Sequence, residues 1–142
     1  MIRRLPLGPG SQLPGWLEAL EAEAFGASWG PLTDQETLWA EEGKAFARWS
    51  FVPATGEAEL LRIAVAPSAR RRGLARGLLQ AGEAGLAATG IQWLRLEVRS
   101  SNAAARVLYE AEGWTLEGTR LRYYRDGEDA ALYVKWVGTE SQ

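Results

Sequence analysis

The seven residues Arg70-Arg71-Arg72-Gly73-Leu74-Ala75-Arg76 are the part of this chain best suited to hold an anion. They follow an apolar run, Ile63-Ala64-Val65-Ala66, that stops at Pro67, and they precede an apolar periodicity that begins at Leu74. A loop entering a helix in this way offers backbone N–H groups that have no intrahelical acceptor. Gly73 and Ala75 keep bulky side chains off that backbone, so a phosphate can approach it. Arg70, Arg71, Arg72 and Arg76 surround the same point with positive charge. Arginine in a first helical turn opposes the helix macrodipole by a few tenths of a kcal/mol each, and a bound anion reverses that penalty. The bland reading is a solvated basic surface. In a chain of net charge −2, a compact basic cluster points instead to a small phosphorylated ligand.

A second group of residues lies in Leu96-Glu97-Val98-Arg99-Ser100-Ser101-Asn102, followed by the helical pattern that carries Tyr109. Glu97 interrupts an apolar strand next to the one that feeds the arginine loop, and from the strand alone it reads as a solvent-facing residue. Asn102, the only asparagine, sits where strand becomes helix and reads as an N-cap or a ligand contact. Tyr109 lies at the edge of an expected buried stripe of Ala104, Val107, Leu108 and Ala111. Its hydroxyl is either wet rim packing or placed to reach a cleft.

Composition removes many other chemistries. With no Cys and no His, the chain cannot use a thiol nucleophile, a Ser-His triad, a His base or an ordinary zinc site. No metal is expected. A hydrophobic content of 46% over 142 residues fits one folded domain, 1–142. No apolar run approaches the roughly 20 residues of a membrane span, and the first residues lack the apolar core of a signal peptide. The expected location is therefore cytoplasmic, with no membrane partner. An isoelectric point near 5.3 argues against general nucleic-acid binding. The seven Trp residues are assigned mainly to core packing.

The elements that must position these residues follow from periodicity and breakers. A short strand is expected at Ile2–Pro6 and a helix over Trp16–Phe25. Thr33 or Asp34 is expected to cap a short helix reaching Leu38, with strands at Leu38–Ala40, Lys44–Val52 and Ala58–Ala66. A helix over Leu74–Thr89 carries the stripe Leu74, Leu78, Ala81, Gly85 and stops at Gly90. Trp93–Val98 is a strand, and a helix capped near Asn102 runs to Ala111. Trp114–Tyr124 and Ala130–Val137 are strands around Arg125-Asp126-Gly127, and a polar tail, Gly138–Gln142, frays. Strand, helix, strand in the middle implies a parallel crossover in an otherwise mixed sheet.

Taken together, the motifs resemble the GNAT acetyltransferases over Glu57 to about Val134. Arg70-x-x-Gly73-x-Ala75 resembles that family's acetyl-CoA loop, and Ile63-Ala64-Val65 its cofactor-binding strand. Leu-Glu-Val-Arg-x-Ser-Asn followed by Leu-Tyr-Glu and Gly resembles the subgroup of ribosomal-protein-alanine N-acetyltransferases, as does Tyr123-Tyr124 before Glu128-Asp129-Ala130. The resemblance implies an α/β (α+β) fold: a central mixed, mostly antiparallel twisted sheet with one parallel βαβ crossover and helices on both faces. It implies acetyl-CoA as cosubstrate. Ile63, Ala64 and Val65 would lie along the pantetheine arm; Arg70, Arg71, Arg72, Gly73, Leu74, Ala75 and Arg76 would hold the pyrophosphate. Asn102 would contact the pantetheine side, Glu97 would be the general base and Tyr109 the general acid. Tyr123 and Tyr124 would line the peptide groove, and Phe25 to Trp29 echoes the family's first helix-to-helix loop. Ala75 stands where glycine is commoner, and Tyr133 where related chains often have Met.

The chemistry so implied is direct transfer to an amine, which needs no enzyme nucleophile. An α-amine of pKa about 8 is neutral several hundred times more often at pH 7 than a lysine of pKa about 10.4. The leading expectation is therefore acetylation of a protein N-terminus, such as that of a ribosomal protein, by a monomer or weak homodimer. A lysine, polyamine or other small amine acceptor is the alternative, and a non-catalytic acyl-CoA sensor on the same fold is the third reading.

Overall fold

The computed structural model describes residues 1–138. Seven strands form one sheet in the order β1-β2-β3-β4-β5-β7-β6. They are β1 Arg3–Arg4, β2 Glu36–Glu41, β3 Ala45–Val52, β4 Glu57–Val65, β5 Trp93–Arg99, β6 Thr115–Arg120 and β7 Ala130–Trp136. The helices are α1 Gly15–Phe25, α2 Leu74–Ala88 and α3 Ala103–Ala111, with a 3-10 turn at Pro67–Ala69. Neighbouring strands are antiparallel except β4 and β5, which are parallel and joined through α2. The expected mixed sheet with one crossover is thus the observed one. No helix among the described residues is long and apolar enough to cross a membrane.

Each face of the sheet has its own core. Leu78, Leu79 and Leu86 of α2 pack on Trp49, Leu60, Leu94 and Leu96. On the other face, Leu17 and Leu20 of α1 pack on Leu38, Phe46 and Ala64. The α2 helix can sit this low because it presents glycine to two indoles. A Cβ on Gly82 would lie 2.6 Å from Trp49 Nε1, and one on Gly85 would run into the Trp39 ring. Trp39, Trp49 and Trp114 are buried, whereas Trp29, Trp93 and Trp136 are exposed.

Three expectations are corrected. The short helix reaching Leu38 is not formed. Thr33 N–H instead donates to Glu36 Oε1, and Gln35 N–H donates to Thr33 Oγ1, closing a turn. Leu38 is then drawn into β2 opposite Arg48, and sheet pairing overrides a weak local helix signal. The α3 stripe is rotated. Ala104, Val107 and Ala111 face outward, Val107 at 67% exposure, and Tyr109 takes the inward face. Its ring offers more area than the alanines and packs against Trp114 and Tyr133 at 6.1 and 6.2 Å between centroids. The final hairpin is also looser than expected. β6 stops at Arg120, and 121–129 form a loop held by Arg99 on Asp126 (2.8 Å) and Glu128 (3.0 Å). The expected frayed tail falls, beyond Gly138, outside the described residues.

Gly82→Ala sets a gain in helix propensity of about 1 kcal/mol against overpacking of about 1–3 kcal/mol. Trp49 is fully buried and stacked on Trp114, so it cannot swing aside. The expected net result is destabilisation by about 1–2 kcal/mol, read as a melting temperature lower by several degrees. A melting temperature equal to or above that of the wild type would show that α2 lifts off the sheet at little cost.

Candidate active site

The site begins with one extra residue in β4. Arg48 pairs with Arg62 and the next residue, Trp49, pairs with Leu60, so Leu61 has no partner on β3. The bulge reverses the alternation of side chains. Before it, Ala58 and Leu60 face the α2 core; after it, Ile63 and Val65 pack there and Ala64 enters the α1 core. Pairing with β5 ends at the same place. Glu57 to Leu60 pair with Trp93 to Leu96, and beyond them the two strands part.

That parting leaves a free backbone edge. Ala66 N–H donates to Lys44 O on the β3 side (2.7 Å). Antiparallel pairing alternates its hydrogen bonds between edges, so the groups of Ile63 and Val65 face the opening. Arg70 Nε donates to Val65 O (3.3 Å) from that side. A trough follows this edge. Its widest part, about 690 Å³, is bounded by Leu60–Ile63, Leu96–Arg99, Asn102, Tyr109, Tyr124, Phe25 and Trp29. A shallower stretch past Ile63, Val65 and Arg70 leads to a cavity of about 510 Å³ between Val65, Leu108 and the Arg70–Arg76 loop.

The loop at that end is built for an anion. Arg71 (φ +66°) and Gly73 (φ +73°) both adopt left-handed backbone, a conformation that costs a non-glycine residue about 1–2 kcal/mol. Alternating backbone of this kind turns successive N–H groups into a concave nest. Gly73 is the N-cap of α2 and supplies no side-chain cap, and the first turn holds no acidic residue. The N–H groups of Leu74, Ala75 and Arg76 are therefore available. Of the four arginines, Arg70, Arg71 and Arg76 line the cavity and Arg72 does not. Arg76 is tied to Glu112 (2.9 Å). These residues fit an elongated ligand with a phosphorylated end at α2 and an extended arm along β4. Ala64 stands apart, its side chain buried beneath α1.

At the wide end the structure brings Glu97, Tyr109, Asn102, Tyr124 and Trp29 to one cleft. Glu97 is 25% exposed and ion-paired with Arg120 (3.3 Å). It also accepts from Tyr123, which raises that hydroxyl's pKa, as does its negative charge. Asn102 caps α3 by accepting from Ala105 N–H (3.2 Å), leaving its amide N–H₂ to the cleft. Tyr109 is 6% exposed. Burial, with a smaller contribution from Tyr124, pushes its pKa up to about 12. Tyr124 carries Arg99 over its ring at 4.1 Å.

Several residues outside the sequence reading also shape this site. Glu21 is fully buried under the cleft wall, where it meets Arg48 and Arg62 at 3.4 Å each. An acidic residue one step from Leu20 on an apolar helix face was the available signal. Glu59 lies on the face of β4 that carries Glu97's neighbourhood, and burial first, then Glu97, raises its pKa. Glu83, buried in α2, accepts from Trp114 Nε1 (3.1 Å) and Lys135 Nζ (2.6 Å). It thereby fixes the aromatic bed of Tyr109.

Residues 11–114 match the acetyltransferase (GNAT) family. Over 80 residues the chain is 45% identical to the ribosomal protein bS18-alanine N-acetyltransferase of Escherichia coli (strain K12), covering 55% of this chain and 54% of that relative. By sequence the chain thus spans about half the length of the curated relatives it matches. The crystal structure of the ribosomal-protein-S18-alanine N-acetyltransferase from Escherichia coli has a TM-score of 0.71 at 31% identity, covering 100% of this chain and 97% of that one. A mycothiol acetyltransferase of Beutenbergia cavernae is 36% identical over 75 residues, 53% of this chain and 25% of that relative.

The Tyr109 shift has a direct consequence for stability. An unfolded tyrosine titrates near 10, whereas the folded group titrates near 12, so folding favours the neutral phenol. Its contribution is complete below about pH 10 and is lost as pH rises towards 12. Tyr109→Phe has no such loss. Denaturant midpoints measured from pH 9 to 12 should therefore fall less steeply in Tyr109→Phe than in the wild type. Parallel curves would show that the phenol is not held neutral by burial.

Proposed function

The chain belongs to the acetyltransferase (GNAT) family, and from that premise we propose that it transfers an acetyl group from acetyl-CoA to the α-amine of a protein N-terminus, with Glu97 as general base and Tyr109 as general acid. The observation that carries this reading is that both side chains line one cleft where β4 and β5 part, at the far end of a trough that starts at the Arg70–Arg76 loop. Acetyl-CoA supplies the activated acyl group, and the chain's residues do the rest. The nest at Arg71 and Gly73 holds the pyrophosphate, and the trough-facing groups of Ile63 and Val65 pair with the amides of the arm as an added strand would, the arm displacing Arg70 Nε from Val65 O. Glu97 takes the amine's proton, directly or through a water, so that nitrogen attacks with its lone pair.

Tyr109 donates to the sulfur that leaves. Its pKa of about 12 keeps the proton in place at any working pH. Full transfer to a thiolate of pKa about 8.5 is uphill by about 3.5 units, or near 5 kcal/mol. Tyr109 therefore assists mainly by hydrogen-bonding the developing charge and releases its proton late. The α-amine is the acceptor a lone carboxylate can serve, because it needs far less help to become neutral than a lysine does. The relatives that modify a ribosomal protein's alanine support a protein acceptor. The mycothiol enzyme favours a small-molecule amine as the second reading.

Thiol release from acetyl-CoA tests the proposal. The acceptor panel holds peptides with free Ala or Ser N-termini, the same peptides N-blocked but carrying a lysine, and polyamines. Turnover confined to free N-termini is expected. Turnover with blocked peptides or polyamines would move the assignment to another acceptor, and CoA binding without turnover would leave a sensor. Glu97→Gln and Tyr109→Phe should each lower kcat by about 10²- to 10⁴-fold with the dissociation constant for CoA within about twofold of wild type. An unchanged kcat in either would remove that residue from its role.

A further inference from the structure

One wall of the acceptor cleft has no core of its own. Phe25, the last residue of α1, and Trp29, between α1 and β2, are 41% and 49% exposed, yet both line the cleft. What holds them is a side chain from β4. The Arg62 guanidinium lies 3.5 Å from the Trp29 ring centroid and 4.6 Å from that of Phe25. It donates to Ala27 O (2.9 Å) and pairs with Glu21 (3.4 Å). Glu21 secures the same segment from beneath, accepting from Ser28 Oγ (2.9 Å) and Trp29 N–H (3.0 Å).

We propose that Arg62 is a positioning residue for the acceptor, one that fixes the Phe25–Trp29 wall at a set distance from the cofactor-binding edge of β4. Arg62 is next to Ile63, whose backbone faces the trough; strand alternation puts their side chains on opposite faces, and the bulge at Leu61 sends that of Arg62 to the α1 side. The wall is thereby registered to the strand that carries the acyl donor, with no intervening element. The role suits arginine and not lysine: a planar, weakly hydrated cation stacks its face on an indole while Nη1 at its edge reaches a carbonyl and a carboxylate. Arg62 touches neither reacting atom. Its loss should therefore weaken acceptor binding and leave donor binding alone.

This inference rests on the acetyltransferase reading, and steady-state kinetics with both substrates varied separates the two. In Arg62→Met the KM for a free-N-terminus peptide should rise about tenfold, with the KM for acetyl-CoA and the dissociation constant for CoA unchanged. In Trp29→Ala the peptide KM should rise similarly. In the double variant it should rise no further, because Arg62 acts through Trp29. If Arg62→Met does not fold, Arg62→Lys carries the same test, since it keeps the charge beside Glu21 and loses the planar stack. An unchanged peptide KM, an equal rise in both KM values, or multiplying effects in the double variant would overturn the proposal. No turnover by the wild type with any acceptor would overturn the acetyltransferase reading, and this inference with it.

Discussion

The separation of β4 from β5 is the constraint on which the rest of this molecule depends. Two parallel strands that paired along their whole length would make a continuous sheet with no cleft. Here pairing stops at Leu60 and Leu96, although β4 continues to Val65 and β5 to Arg99. On that edge Ile63 and Val65 forgo ladder hydrogen bonds worth about 1 kcal/mol each, and Val65 O accepts instead from Arg70 Nε. A sheet pays this penalty only where something else keeps the strands apart. Below the opening the α2 core holds β4 to β5 through Leu60, Leu94 and Leu96. Above it, Tyr109 enters from α3, packed on Trp114 and Tyr133.

Charge is distributed in the same spirit. A fully buried carboxylate is a liability unless it is compensated. Glu21 has two guanidiniums, a hydroxyl and a backbone N–H around it. Arg48, also buried, donates from its two terminal nitrogens to Gly30 O and Pro31 O (3.0 and 3.2 Å) and to Glu36 (3.0 Å), while its Nε has no partner among the described residues. Apolar residues of similar size could stabilise the fold as well, but they would leave those carbonyls unpaired and the 25–31 segment without a fixed path. The network therefore gives position more than stability. At the other end of the trough the arrangement is reversed. The nest at Arg71 and Gly73 leaves its N–H groups without internal acceptors, which suits a partner that arrives from solution.

The parts of the site that are contiguous in sequence were legible in it, and the parts that need three-dimensional register were not. The Arg70–Ala75 loop is a strand–turn–helix joint whose Pro67 and Gly73 are local signals, and Asn102 before Ala103 is an N-cap wherever it occurs. Glu97 stood out because a charge breaks an apolar strand. The bulge at Leu61 left no mark, since Leu60-Leu61 reads as two ordinary strand residues until β3 is laid beside it. Arg62 and Glu21 lie 41 positions apart and come together only through that bulge. The Thr33–Leu38 helix failed because turn chemistry and pairing with β3 outweighed propensity. The α3 stripe failed because counting apolar residues gives alanine the same weight as a tyrosine ring.

The bulge shows how much a single residue can carry. Side chains alternate along a strand with a period of two, so leaving one residue unpaired in a bulge exchanges the faces of everything beyond it. Were Leu61 an ordinary paired strand residue instead of a bulge, Arg62 would point into the α2 core beside Leu78 and Leu96, an unpaired guanidinium among apolar groups. Ile63 would take its place beside Glu21, leaving that carboxylate one cation short. The backbone groups now facing the trough would turn towards β3, and those of the neighbouring residues would face outward in their stead. One strand thus serves the core, the cleft wall and the open backbone edge only because its alternation is broken once, at the level where β5 departs.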